Sequence, residues 1–306
     1  MGTKEKVHSH IYHFISLLAG LLYALAAIVL KRALLHNAGP CETTLVANWI
    51  FLLVTALTLP FSSGTWFSQG SLLAFFCGLI FVLGHFLAFL AMHRGDVSLA
   101  TPILGTKPLF VAVFVRMLGK ELTMWNIAAI FLAVVALVLL NYPSRKQSRF
   151  FDVPTVACSL GAALTFAVMD VLVVQAAETL HPLRVMFVTG LVSALISFAL
   201  VPTFLASVIQ LRPSGLSWLI GGATLVAIQS AAFGCSVVFS RDPTGCNIIY
   251  SARGFWVVLL VWLLSSTIAL PETSRGKFVF VLRFIGSCMI FLAICLQFYN
   301  PSQKTV

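Results

Sequence analysis

The sequence predicts an all-α integral membrane protein of about ten transmembrane helices, arranged as two inverted five-helix repeats. Three observations carry that expectation. Hydrophobic residues make up 60% of the 306 and charged residues only 9%, where a soluble domain carries roughly a quarter charged. Apolar runs repeatedly reach the roughly 20 residues that a helix needs to cross about 30 Å of hydrocarbon. Polar residues of the first half also recur at a near-constant offset in the second.

Cutting the apolar runs at charge, Pro, Gly and Ser clusters gives spans near 12–34, 43–62, 71–92, 98–118, 124–142, 153–176, 182–204, 217–239, 244–267 and 277–299. The first run follows Lys4 and Lys6 and continues to Leu30 before Lys31 and Arg32. Within it, Ala24-Leu25-Ala26 has the look of a signal-peptide cleavage site, but the length suits a first spanning helix with further spans directly after it. Gly39-Pro40 precedes the second run and Ser62-Ser63-Gly64 follows it. His93-Arg94-Gly95-Asp96 separates the third from the fourth, and Gly119-Lys120-Glu121 the fourth from the fifth. A closed barrel would need strands of alternating polarity, whereas these runs are apolar all round.

The longest polar connector, 141–150, divides the chain into a first five-helix repeat (1–142), a linker (143–152) and a second repeat (153–306). An offset of 146 places Asp96 on Asp242, Lys107 on Arg253, Phe110 on Trp256 and Val111 on Val257. An offset of 142 nearer each half's start places Pro40 on Pro182. With an odd number of spans per repeat, the second copy enters the membrane from the opposite side, a plan in which a substrate site lies near the midplane between the halves. Counts of Lys and Arg on the two faces are about equal, so the positive-inside rule gives no orientation.

The formal charge of +10 arises from 19 Lys and Arg scattered singly or in pairs, without the basic stripe or module that nucleic-acid binding uses. Loop charge facing anionic headgroups accounts for it. The seven cysteines, 41, 77, 158, 235, 246, 288 and 295, form no C-x-x-C pair, so neither a disulfide framework nor a metal site is expected. No H-E-x-x-H, G-x-S-x-G or phosphate-cradling Gly-rich loop occurs, so neither catalysis nor a cofactor is expected.

A Lys or Arg at mid-membrane costs roughly 2.5–3.5 kcal/mol on insertion scales, so it needs a partner, a wet cavity or a function. Lys107 lies midway along the fourth span and Arg253 near the middle of the ninth, at the repeat-equivalent position. Two cations on the pseudo-symmetry axis build a positive centre for phosphate or carboxylate. The alternative is internal neutralisation, with Asp170 in the sixth span as counter-ion in a pair that only fixes packing. His85 in the third span is either a proton relay or a packed, hydrogen-bonded core residue. Arg283 stands close enough to a span boundary to snorkel. Pro102, Gly105 and Pro108 bracket Lys107 and predict a kink that frees backbone groups beside it. In the second copy, Asn247 and Tyr250 precede Arg253 as hydrogen-bonding candidates, and Phe110 and Trp256 are either cavity walls or plain packing residues.

The stretch from Ala91 through Arg94-Gly95-Asp96 to Pro102, followed by Pro108 and Leu118-Gly-Lys-Glu-Leu122, resembles the end of the first repeat in the EamA-type branch of the drug/metabolite transporter superfamily. The resemblance covers essentially the whole chain through its five-plus-five layout. It implies a secondary transporter with both termini cytoplasmic, multi-pass in the inner (cytoplasmic) membrane. It also implies a cavity lined chiefly by spans three, four, eight and nine, with one and six contributing. Members move amino acids, nucleotide sugars, sugar phosphates, nucleotides and other metabolites, and phosphate-handling branches place basic residues in the cavity, as Lys107 and Arg253 would be. The second repeat departs from the pattern, with Leu264-Ser-Ser266 where a Gly-Glu-like turn is expected.

The expectation is therefore a carrier for a small, anionic metabolite such as a phosphate, carboxylate, nucleotide-like or S-adenosyl compound, working by alternating access. Its partners are the substrate, the bilayer, a proton or counter-substrate, and a second copy in a homodimer. The alternative is an amino-acid or drug exporter whose basic residues are internally paired.

Overall fold

The computed structural model describes residues 2–66, 68–94, 103–119, 121–140, 153–208, 213–264 and 277–299. The chain is all-α, with twelve helices among the described residues. In the first half these are α1 (Gly2–Leu35), α2 (Pro40–Ala56), α3 (Gln69–Arg94), α4 (Lys107–Met117) and α5 (Met124–Leu140). In the second they are α6 (Val153–Ala176), α7 (Pro182–Ser197), α8 (Val201–Val208), α9 (Pro213–Ser240), α10 (Pro243–Tyr250), α11 (Arg253–Leu264) and α12 (Lys277–Tyr299). The expected linker 143–152 lies outside the described residues, as do Asp96, Pro102 and Ser265–Ser266.

Among the described residues, five helices are long and apolar enough to cross a membrane: Ile11–Leu34, Gln69–Arg94, Val153–Ala176, Pro182–Ala206 and Gly215–Ser240. They match spans one, three, six, seven and eight, and the seventh is carried across Phe198–Leu200 by a turn of 3₁₀-helix joining α7 to α8. Spans two, five and ten contain shorter apolar helices. Spans four and nine are not continuous. Each is interrupted by a two-residue turn, Gly105-Thr106 and Ser251-Ala252, directly before its cation.

Local chemistry sets the boundaries. After α1, Asn37 adopts a left-handed φ of 69°, the Ala38 N–H donates to Ala33 O at 3.1 Å and the Asn37 N–H to Leu34 O at 3.1 Å. This pair of bonds is a Schellman stop, which satisfies carbonyls that the helix end leaves free. Pro40 then opens α2 at a position where its missing N–H costs nothing.

Large apolar side chains point outward, including Phe14, Phe131, Phe284 and Phe291, each more than half exposed. Ala24, Ala26, Ala74, Ala133, Ala162, Ala163, Ala223 and Ala227 are completely buried. That inside-out distribution fits lipid as the surroundings, because helices in a bilayer gain by close packing of small residues rather than by escaping water. Gly78 and Gly222 are examples, since an added Cβ would sit 2.6 Å from Val192 Cβ and from Leu30 Cδ2 respectively.

Helix neighbours occur in pairs that interchange when the two sets of five spans are swapped. Helix α1 packs on α9 as α6 packs on α3; α2 meets α9 as α7 meets α3; and α1 meets α11 as α6 meets α4. The self-equivalent pairs α2–α7 and α5–α12 are also in contact. A pseudo-two-fold relation between the two sets of helices produces this pattern of contacts.

Candidate functional site

Lys107 and Arg253 each stand at the first residue of the second half of a broken span, Lys107 opening α4 and Arg253 opening α11. The breaks are held by hydroxyls that fold back on the preceding turn: Thr106 Oγ1 donates to Ile103 O at 2.7 Å and Ser251 Oγ to Ile248 O at 2.5 Å. Pro108 falls in the first turn of α4, where proline is tolerated. The interruption therefore precedes Lys107 rather than kinking the helix after it. A helix N-terminus carries partial positive charge, so a cation there opposes the local preference. Two such termini, each with a cation, make a strongly anion-attracting place.

The two cations differ in their partners. Lys107 Nζ lies 2.7 Å from Asp170 Oδ2, both side chains being buried, and above the rings of Phe233 at 4.6 Å and Phe166 at 5.8 Å. Asn247 Nδ2 donates to the same Asp170 oxygen at 2.6 Å and to Pro243 O at 2.8 Å. The alternative of internal neutralisation thus describes Lys107. Arg253 is 7% exposed, and its guanidinium lies 4.7 Å from the ring centres of both Tyr23 and Tyr250, which meet each other edge to face. It donates through Nη2 to Leu104 O at 3.1 Å. Among the described residues no carboxylate pairs with it, and its buried Nε–H has no partner. Gly20 permits this arrangement: an added Cβ would lie 3.3 Å from both Arg253 N and Tyr250 O, so α1 presses directly on the break.

Lys107 and Arg253 both line a cavity of about 780 Å³, mouth included. Its walls come from spans one, three, four, six, eight and nine, through residues such as Tyr23, Phe81, Leu104, Phe166, Phe233 and Tyr250. Helix α1 contributes Tyr23 to Leu30 and α9 contributes Val226 to Phe233. Towards the start of α1 the same two helices are shut against each other. There His13 Nε2 lies 3.4 Å from Asp242 Oδ2, Ser16 Oγ is 2.7 Å from Ser236 Oγ, and Tyr12 stacks on Phe239 with centroids 5.5 Å apart.

His85 lines the cavity and is fixed there: its Nδ1 is 2.8 Å from Asn48 Oδ1, and Asn48 Nδ2 donates to Ser197 Oγ at 2.7 Å. The rings of Phe81, Phe89 and Phe166 surround it, with centroids 4.1–5.6 Å away. Asn247 and Asp170 stand behind Lys107 and not in the lining. Phe110 and Trp256 are outside the lining too, Phe110 packed on Val111, Val115, Ala167 and Val171 and Trp256 on Ala136, Leu137, Ala252 and Ile290. A third buried cation, Arg184, is satisfied elsewhere, by Ser62 Oγ, Gly64 O and the Trp66 ring. The Arg283 side chain is not among those described. Tyr23, Gln229, Ser230 and Phe233 join the lining without any mark in the sequence beyond their residue types.

Two interchangeable sets of helices, with broken helices meeting at a shared cavity, give the fold of an all-α, multi-pass membrane protein. Residues 10–142 match the model of the EamA-like transporter family. Its members are transporters rather than enzymes. One crystal structure is similar over 94% of this chain and 98% of its own, with a TM-score of 0.70 at 17% identity, a likeness of fold. No curated protein matches in sequence.

Proposed function

We propose that the chain is a secondary transporter that moves a small anionic metabolite by alternating access, with Arg253 as the principal anion-binding group and Lys107 reinforcing it. The observation that carries the reading is that Arg253 is buried at the cavity, held in place by Tyr23 and Tyr250, without a carboxylate among the described residues to neutralise it. A buried charge left alone is costly, and a passing anion removes that cost. Halves 1–142 and 153–306 are the bodies that rock against each other. The shut end at His13–Asp242 and the cavity beyond Tyr23 are the two sides of one such state. Coupling to a proton or a counter-substrate drives net flux, and the inner (cytoplasmic) membrane is the proposed location, with assembly as a homodimer.

The Lys107–Asp170 contact favours a second reading, an amino-acid or drug exporter with internally paired cations. Arg253 argues against it, because only one of the two cations has such a pair. Uptake into proteoliposomes across phosphates, nucleotides, carboxylates, amino acids, S-adenosyl compounds and organic cations tests the choice. Anion uptake that is lost in Arg253→Gln supports the proposal; uptake confined to cations or zwitterions, unaffected by Arg253→Gln, refutes it.

A further inference from the structure

The inventory of charges and polar groups around the cavity narrows the class of anion, on the premise that the cavity carries an anion at all. We infer that its cargo is a hydrophobic monocarboxylate: one negative charge on an apolar, preferably aromatic, body.

Charge comes first. Lys107 and Arg253 contribute two positive charges and Asp170, in contact with Lys107, removes one. Among the described residues the site therefore holds one uncompensated positive charge, which matches a monoanion; a doubly charged phosphate ester would bring one negative charge too many into a low-dielectric place.

Geometry comes second. The guanidinium is held beside the edge-to-face rings of Tyr23 and Tyr250, its Nη2 donates to Leu104 O, and its Nε–H has no partner. A planar fork with an unused donor suits a planar carboxylate.

The remaining wall comes third. Apart from the cations and the two tyrosines, the polar lining among the described residues is His85, Gln229 and Ser230, and the Nδ1 of His85 is already taken by Asn48. Three such groups do not replace the water around a sugar or a nucleotide, and each cargo hydroxyl left without a partner weakens binding. Among the described residues no Asp or Glu lines the cavity, so the ammonium of an amino acid finds no counter-charge from them. The rest of the surface is apolar, with Phe81, Phe89, Phe166 and Phe233 offering ring faces and Met92 and Met169 adaptable contacts.

Radiolabelled phenylacetate uptake by the purified full-length protein in proteoliposomes tests this, with phenylphosphonate, inorganic phosphate, glycerol phosphate, phenylalanine and phenethylamine as competitors and as labelled substrates. The expected result is saturable phenylacetate uptake, with the other probes weaker by about tenfold or more, as charge mismatch and unpaired polar groups require. Asp170→Asn raises the site by one positive charge, and the expected result is a shift of preference from phenylacetate towards phenylphosphonate. Transport of phosphate compounds without phenylacetate overturns the monocarboxylate assignment while leaving anion transport intact. Transport of phenethylamine or phenylalanine with no anion carried overturns both. Should Asp170→Asn fail to fold, the wild-type ranking of phenylacetate against phenylphosphonate decides alone.

Discussion

Lys107 Nζ and Asp170 Oδ2 are 2.7 Å apart, an ion pair that ties the fourth span, in the first repeat, to the sixth, in the second. Removing one member of a buried pair leaves the other charge stranded, at a cost of about 3–5 kcal/mol, whereas replacing both with apolar groups of similar size is often neutral. Asp170→Leu alone is therefore expected to lower the unfolding temperature in detergent strongly, and Lys107→Met combined with Asp170→Leu to recover most of the loss. Equal destabilisation by the single and double variants would show that the pair is not the source of the effect.

Arg253 separates charge from shape. If Arg253 binds the anion as proposed, Arg253→Gln removes a charged hydrogen bond worth about 1.5–3 kcal/mol, or roughly ten- to hundredfold in affinity. Arg253→Lys keeps the charge and loses the planar fork held beside Tyr23 and Tyr250, so an intermediate loss is expected. Transport assays at subsaturating anion rank the three proteins; a lysine variant no better than glutamine would remove charge from the explanation.

Closure at the start of α1 is testable by tethering. Tyr12 and Phe239 stack with centroids 5.5 Å apart, at the end where His13 meets Asp242. In a background without the native cysteines, Tyr12→Cys with Phe239→Cys joined by a short cleavable thiol cross-linker is expected to stop flux, and cleavage to restore it. Unchanged flux in the fully cross-linked protein would mean that this end does not open during transport.

Gly78 reports on helix packing independent of the site. A side chain there meets Val192 Cβ at 2.6 Å and Thr189 O at 2.9 Å, so Gly78→Val is expected to destabilise the α3–α7 contact by about 1–3 kcal/mol, as overpacking does. Thermal unfolding in detergent measures it, and an unchanged midpoint would contradict the packing described.

Hydropathy marked the long spans well, because hydrocarbon requires about twenty apolar residues whatever the fold. The sixth span was read at 153–176, the bounds of the helix itself. Lys107 and Arg253 stood out for a related reason, since a mid-membrane cation is costly enough to need a purpose. The break before Arg253 left little trace, as Ser251 and Ala252 are unremarkable in a helix, whereas Gly105 and Pro108 signalled the one before Lys107. Phe110 and Trp256 each lie three residues beyond a cation. They are thus almost one turn further from the half-helix N-terminus that faces the cavity, and they pack on neighbouring helices. Tyr23 and Phe233 were not legible, because an aromatic in an apolar run carries no sign of which way its helix is turned. Their approach to Arg253 and Lys107 depends on how α1 and α9 cross.

The account rests most heavily on Arg253 facing a hydrated passage, and labelling tests that directly. In a protein stripped of native cysteines, Arg253→Cys is predicted to react with a small, charged, membrane-impermeant thiol reagent from one side of the membrane, and to be protected by a transported anion. No reaction from either side in the folded protein would mean that position 253 is sealed in dry packing, and would contradict the account.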